Sequence, residues 1–243
     1  MLRFSLASPL RSRIAVPRRL IPPHLAGRCV ATKATKELSS SPPSHQALMR
    51  AVQLETPKCV ALVQQATPKN SLLGMIIHTD GPRSNGRAGG AAYIEVYKTG
   101  ARQSVVAIID IWYHLGEMYS SSDGEFAAVI AGLRCLAEML RDGVASRSVV
   151  IASDFLEVCR LVDGKTGYKD PIPAKLHEIL SNLRTTYPQL NITSRHTPRK
   201  AKVAGHIRAD RTALSAAAGT TKVAVNSPDT LKEKKGTGDA PGN

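Results

Sequence analysis

Between residues 72 and 219 the spacing of apolar residues switches period several times, and the order of those switches limits the fold more than any other feature. Residues 72–79 form a continuous apolar strand, closed by the Asp80-Gly81-Pro82 turn and a loop rich in Gly and Asn. Residues 90–97 and 103–113 read as two more strands joined through Lys98-Thr99-Gly100, so three consecutive strands predict an antiparallel meander. Then the period lengthens. Phe126, Val129, Ile130, Leu133, Leu136, Ala137 and Leu140 recur every three or four residues between Ser122 and Gly143, which is one wide apolar helical stripe. Residues 147–153 return to a strand with an unbroken apolar middle, as expected of a strand covered on both faces. Helices follow over 155–162 and 172–187, the second with Leu176, Ile179, Leu180 and Leu183 inward. Residues 190–195 give a fifth strand and 207–218 a last helix. The order β-β-β-α-β-α-α-β-α predicts an α/β fold with a five-stranded mixed sheet, three strands antiparallel and two parallel, flanked by helices. No internal repeat is visible.

The rest of the chain reads as additions to that one domain. Residues 1–71 hold 11 Lys and Arg against 2 Asp and Glu, a net of +9 out of +14 for the whole chain. Most of the positive charge is therefore outside the domain, and bulk charge alone is a weak argument for nucleic acid there. Residues 1–36 contain no acidic residue, carry Arg3, Arg11, Arg13, Arg18, Arg19 and Arg28, and interrupt every apolar stretch with arginine. That composition predicts an organellar transit peptide, mitochondrial before plastid. A basic arm kept on a nuclear or cytoplasmic protein is the alternative. Residues 37–71 read as a linker with room for one short helix over 46–66, and 220–243 as a disordered polar tail. Cys135 and Cys159 fall on apolar faces, the pattern of buried reduced thiols, and no CxxC pair occurs. No apolar run approaches 18 residues, so no membrane span is expected.

Four acidic residues occupy particular places in this order. Asp80 ends the first strand, Glu125 lies in the first turn of the first long helix, Asp154 ends the fourth strand, and Asp210 lies near the start of the last helix. If the first and fourth strands are neighbours, Asp80 and Asp154 leave the same sheet edge about one strand spacing (roughly 5 Å) apart. Clustered carboxylates repel and are costly to desolvate, so such a group persists only with a cation, and carboxylate oxygens suit Mg²⁺ or Mn²⁺.

The run Ile77-His78-Thr79-Asp80-Gly81, the following Gly89-Gly90-Ala91, and Asp123-Gly124-Glu125-Phe126-Ala127-Ala128 leading to Gly132-Leu133 resemble the ribonuclease H family. So do Val150-Ile151-Ala152-Ser153-Asp154 and Arg208-Ala209-Asp210-Arg211-Thr212-Ala213. The resemblance spans about 150 residues and implies a ribonuclease H-like fold. It further implies an endonuclease that cuts the RNA strand of an RNA–DNA hybrid with two Mg²⁺ or Mn²⁺ ions, leaving 5′-phosphate and 3′-hydroxyl ends. Asp80 would bridge both ions, Asp210 would complete the ion at the attacking water, and Glu125 and Asp154 would hold the one at the leaving oxygen. His196 would match the family's mobile histidine, Asn85 an Asn that contacts the hybrid, and Gly81 with Glu125 the groups that sense the ribose 2′-OH. Arg195, Arg199, Lys200, Lys202, Arg208 and Arg211 put six cations in 17 residues beside the expected phosphate site. His206 stands where the family has an Asn, and the stretch from His196 to Asp210 is longer than usual.

Other readings stay open. Asp80-Gly81 is an ordinary turn signal, Ser122 and Glu125 have capping-box spacing, and Asp154 with Glu157 has the same excuse at the next helix. Another register would put Gly205 where the last Asp belongs. The main functional alternative is an inactive ribonuclease H-fold module that binds structured RNA in an organellar ribonucleoprotein. A 3′–5′ exonuclease of related fold is disfavoured, because those enzymes carry Asp-x-Glu on the first strand and Pro82 stands in the second place. Either main reading predicts a monomer.

Overall fold

A computed structural model describes residues 43–66, 72–99, 104–117, 119–165 and 169–228. The transit peptide expected over 1–36 and the end of the expected tail lie outside the described residues. The strands are β1 (Leu73–Asp80), β2 (Arg83–Ser84), β3 (Arg87–Lys98), β4 (Ser104–Gly116), β5 (Ser146–Ser153), β6 (Asn191–His196) and β7 (Lys222–Asn226). The helices are α1 (Pro43–Ala66), α2 (Ser121–Arg141), α3 (Leu156–Val162), α4 (Pro171–Thr186) and α5 (Ala204–Ala217).

The sheet runs β6-β5-β1-β3-β4-β7, with β2 hairpinned onto β3. β1, β3 and β4 are antiparallel neighbours, and β5 and β6 continue from β1 in parallel. Alternation sorts β1 between two faces. Met75 and Ile77 enter the main core with Ile94, Ile109, Ile151, Leu133 and Leu176, beneath the four helices α1 to α4. Ile76, His78 and Asp80 point the other way, where α5 lies on β1, β3 and β4. Cys59, Cys135 and Cys159 are buried free thiols, and burial raises Cys59 and Cys135 far above the ordinary thiol range, so they act as small hydrophobes.

Two seams of small residues set how closely helices approach the sheet. In the first, a Cβ on Gly124 would lie 2.4 Å from the Gly89 carbonyl oxygen and 2.9 Å from Gly81 Cα, so α2 begins in backbone contact with the end of β1. In the second, Gly205, Ala209, Ala213, Ala216 and Ala217 are the buried side of α5. A Cβ on Gly89 would lie 2.5 Å from Ala217 N, and one on Gly205 would strike the His78 ring. A pair between Arg208 and buried Asp110 pins the same helix to β4, with bonds of 2.8 and 2.6 Å, and the guanidinium also lies over Tyr93.

Three expectations change. The sheet has seven strands rather than five, because β2 completes an Asn85-Gly86 hairpin and β7 joins the outer side of β4. The disordered tail expected from 220 therefore does not begin there. Lys222-Val-Ala-Val-Asn is short and runs into a polar stretch, which hid its alternation, but pairing with β4 supplies what five residues lack alone. The short helix in the linker is a 24-residue helix with Pro57 inside it; Val52, Cys59, Val60 and Val63 make a buried stripe against β4, β7 and α2. Tertiary burial there outweighs the proline's lost hydrogen bond. Gly124→Ala is expected to destabilise the fold by roughly 1–3 kcal/mol or more, because its neighbours are backbone that cannot step aside. Urea unfolding checks this; Gly86→Asn, at an open turn with φ of 78°, should change stability far less.

Candidate active site

Asp80 is the last residue of β1, and the parallel register pairs His78 with Ala152 on β5. Continuing that register by two residues brings Asp80 beside Asp154, as expected if the first and fourth predicted strands were neighbours. Asp80 is 1% exposed, and among the described residues neither of its carboxylate oxygens meets a hydrogen-bond donor. Asp154 is more open. Its Oδ2 accepts a 2.7 Å bond from Arg199 Nε and lies 3.7 Å from His206 Nε2.

Glu125 arrives from the opposite face because α2 starts against the turn after β1. The helix is capped by Ser120, whose hydroxyl accepts from the Asp123 N–H while the Asp123 carboxylate accepts from the Ser120 N–H. The capping box thus lies two residues earlier than the Ser122–Glu125 spacing suggested. That shift frees Glu125, whose side chain is buried at the mouth of β1 instead of closing the helix end. The Gly81 N–H donates to its carboxylate, and Oε2 has no donor.

Asp210 and His206 come from α5, one turn apart and so on the same side of that helix. Asp210, exposed on α5, lies near enough to Asp80 for its charge to act on that carboxyl. The structure therefore turns Asp210 toward Asp80, and Gly205, in the other possible register, is instead packed on His78. One ligand atom each from Asp80, Asp154 and His206 falls within 4.8 Å of the other two. His206 was not expected among the site residues. The available signal was its position four residues before Asp210 on one helix face.

The charges confirm how crowded these groups are. Burial first, then the negative charges of Asp210 and Asp154, push the Asp80 carboxyl up to about 7. Burial, then Asp80 and Asp154, hold Glu125 well above the usual carboxylate range. Buried carboxylate oxygens without donors, facing other carboxylates, are costly unless a proton or a cation sits among them. Oxygen donors with one imidazole nitrogen make a set that suits a divalent cation, so the residues present fit one.

The expected substrate contacts separate into groups. Arg199, Lys200 and Lys202 follow β6 on an exposed 3₁₀ turn and its end, with Arg199 leaning onto Asp154. Arg195 is exposed on β6, and Asn85 is exposed at the hairpin tip with φ of 49°. That left-handed turn position already accounts for an Asn there. Arg208 is committed to Asp110 rather than open to phosphate. His196 is exposed, and its Nε2 bonds the Asp154 backbone carbonyl at 3.1 Å, so it flanks the carboxylates without facing into them.

Two outcomes follow from the crowding. A carboxyl whose folded pKa is raised contributes stability that is fully present below its unfolded value near 4 and lost as pH rises through about 7. In EDTA, Asp80→Asn should therefore melt above the wild type at pH 8, by roughly 5 °C. The gap should close near pH 4, as thermal denaturation across that range will show. Arg199 is 76% exposed, so Arg199→Gln should cost less than about 1 kcal/mol of stability. Because it removes a competing cation from Asp154, it should also tighten Mn²⁺ binding, measured by the thermal shift on adding the ion.

No protein-family model matches the chain, and no curated protein does. Among solved structures it is similar to LC11-RNase H1 isolated from compost, at 19% identity over 60% of this chain and 96% of the other, with a TM-score of 0.45. LC11-RNase H1 has also been solved in complex with an RNA/DNA hybrid. The N-terminal ribonuclease H domain of a Mycobacterium tuberculosis protein, solved as a fusion, matches at 23% identity over 59% and 98%, with a TM-score of 0.44. LC9-RNase H1, described as a type 1 enzyme with the type 2 active-site motif, matches at 16% over 68% and 82%, with a TM-score of 0.47. The strand order, with two parallel strands on one side of β1 and antiparallel strands on the other, and α5 set apart on its own face, makes this a ribonuclease H-like fold.

Proposed function

We propose that the chain is a metal-dependent endonuclease that hydrolyses the RNA strand of RNA–DNA hybrids. The observation that carries this reading is the grouping of Asp80 and Asp154 with His206 within 4.8 Å, with Asp210 near enough for its charge to act on Asp80, and with buried oxygens of Asp80 and Glu125 left without donors among the described residues. A structural cluster of that kind would lose stability for no return. Asp80, Asp154, Asp210 and Glu125 would hold the divalent ions, two Mg²⁺ or Mn²⁺. When bound, such ions polarise a phosphoryl group and make water a nucleophile near neutral pH.

The protein's own part is placement. Asp80, buried and bonded to no donor, presents both oxygens to the site, while Asp154 is fixed beside it by the β1–β5 register. Gly81 holds the Glu125 carboxylate through its N–H, and in this reading the pair is assigned to sensing a ribose 2′-OH. Arg199, Lys200 and Lys202, with Arg195 behind them on β6, offer exposed cations to the phosphates flanking the cut. His196, on the rim, is suited to proton transfer with solvent.

A cleavage assay on hybrid, duplex RNA and duplex DNA side by side tests the reading. Mg²⁺-dependent cutting of the hybrid alone is expected. Asp80→Asn should reduce that rate by at least about 100-fold while hybrid affinity stays within about threefold. Hybrid bound but never cut, by the wild type with either ion, would replace the nuclease with a binding module.

A further inference from the structure

Two histidines approach the carboxylates, and they do so differently. His196 is exposed and already bonded to a backbone carbonyl. His206 is 6% exposed and belongs to α5, the helix that carries Asp210. Its Nε2 is 3.7 Å from Asp154 Oδ2, too far for a hydrogen bond, and its Nδ1 is buried with no partner among the described residues. A ring nitrogen, an oxygen of Asp80 and an oxygen of Asp154 nevertheless all lie within 4.8 Å of one another. Buried histidine nitrogens are as a rule bonded, and a histidine acting as a counter-ion would close on Asp154. Three groups at this spacing, with both Asp80 oxygens bare, are instead close enough together to share one ion.

We propose that His206 supplies a nitrogen ligand, with Asp80 and Asp154, to a divalent ion, and that this mixed site binds Mn²⁺, Co²⁺ or Zn²⁺ more tightly than Mg²⁺. The inference rests on the metal-holding role proposed above for the carboxylates. Its chemistry is general: imidazole is a borderline donor that adds affinity for transition-metal ions, whereas Mg²⁺ keeps to oxygen and to its own water. An all-carboxylate site discriminates less. His206 would thereby set which ion the site selects, and His196 would not.

The probe is Mn²⁺ alone, added to EDTA-treated full-length protein. Free Mn²⁺ is followed by electron paramagnetic resonance, ¹⁴N coupling by its pulsed form, and Mg²⁺ by competition. The wild type should show ¹⁴N coupling from one directly bound imidazole and bind Mn²⁺ at least about tenfold more tightly than Mg²⁺. In His206→Asn the coupling should vanish and the Mn²⁺ Kd should rise about tenfold, while the Mg²⁺ Kd moves less than about threefold. His206→Gln is run beside it, with melting curves in EDTA, so that a folding defect in one variant does not decide the result. His196→Asn should keep the coupling.

Bound Mn²⁺ without ¹⁴N coupling, coupling that survives in both His206 variants, or coupling lost in His196→Asn would overturn the inference and leave the nuclease standing. If neither ion binds the wild type, the metal-dependent reading falls together with it.

Discussion

Helices can carry charged groups to a sheet's end only as closely as the atoms between them allow, and in this protein that distance is set by missing side chains. α2 meets the end of β1 at Gly81, Gly89 and Gly124, and α5 lies on β1 and β3 through Gly205, Ala209, Ala213 and Ala217. A methyl group at Gly124 would need room already taken by peptide atoms. Everything at the candidate site hangs on these two seams. Without the first, Glu125 stands off from Asp80; without the second, Asp210 and His206 do. Arg208 with Asp110 serves the second seam from the far side, holding α5 on β4.

Close approach creates the electrostatic problem that defines the site. Folding forces together acidic groups that would rather stay apart, and the molecule meets the conflict in two ways. Part of it is met by protonation, since burial raises Asp80 and Glu125. Part is met by Arg199, an exposed side chain that reaches back to Asp154. Neither answer is permanent. A proton leaves as pH rises, and an exposed guanidinium is held by little more than its charge. A divalent cation would be a stronger counter-charge than either.

Much of this was legible in the sequence, and the failures have physical causes. The carboxylate order followed from period changes and from Asp80 and Asp154 ending their strands, while the pairing of β1 with β5 was only a condition of that reading until the register supplied it. The helical cap did not, because Ser120-Ser121-Ser122 offers three hydroxyls and only backbone geometry chooses Ser120 with Asp123. Arg208 looked like one of six equivalent cations, since Asp110 is nearly a hundred residues away in the chain. His206 could be noticed as a substitution, but its distance from Asp154 is a property of how deeply α5 settles. β7 and the length of α1 were hidden for a shared reason: each is weak locally and exists because of the other elements it touches.

That mutual dependence has a consequence for what counts as the folding unit. β7 gives the outer side of β4 its hydrogen-bond partners, and α1 lies across both strands on the core face. The beginning and the end of the described chain thus clasp a single strand between them. A protein trimmed to residues 72–219 would keep every carboxylate and still expose a long, apolar, unpaired β4, a ready template for joining a second molecule edge to edge. The smallest self-sufficient piece is larger than the outline that bears the carboxylates, and its outer segments cover an edge open to self-association.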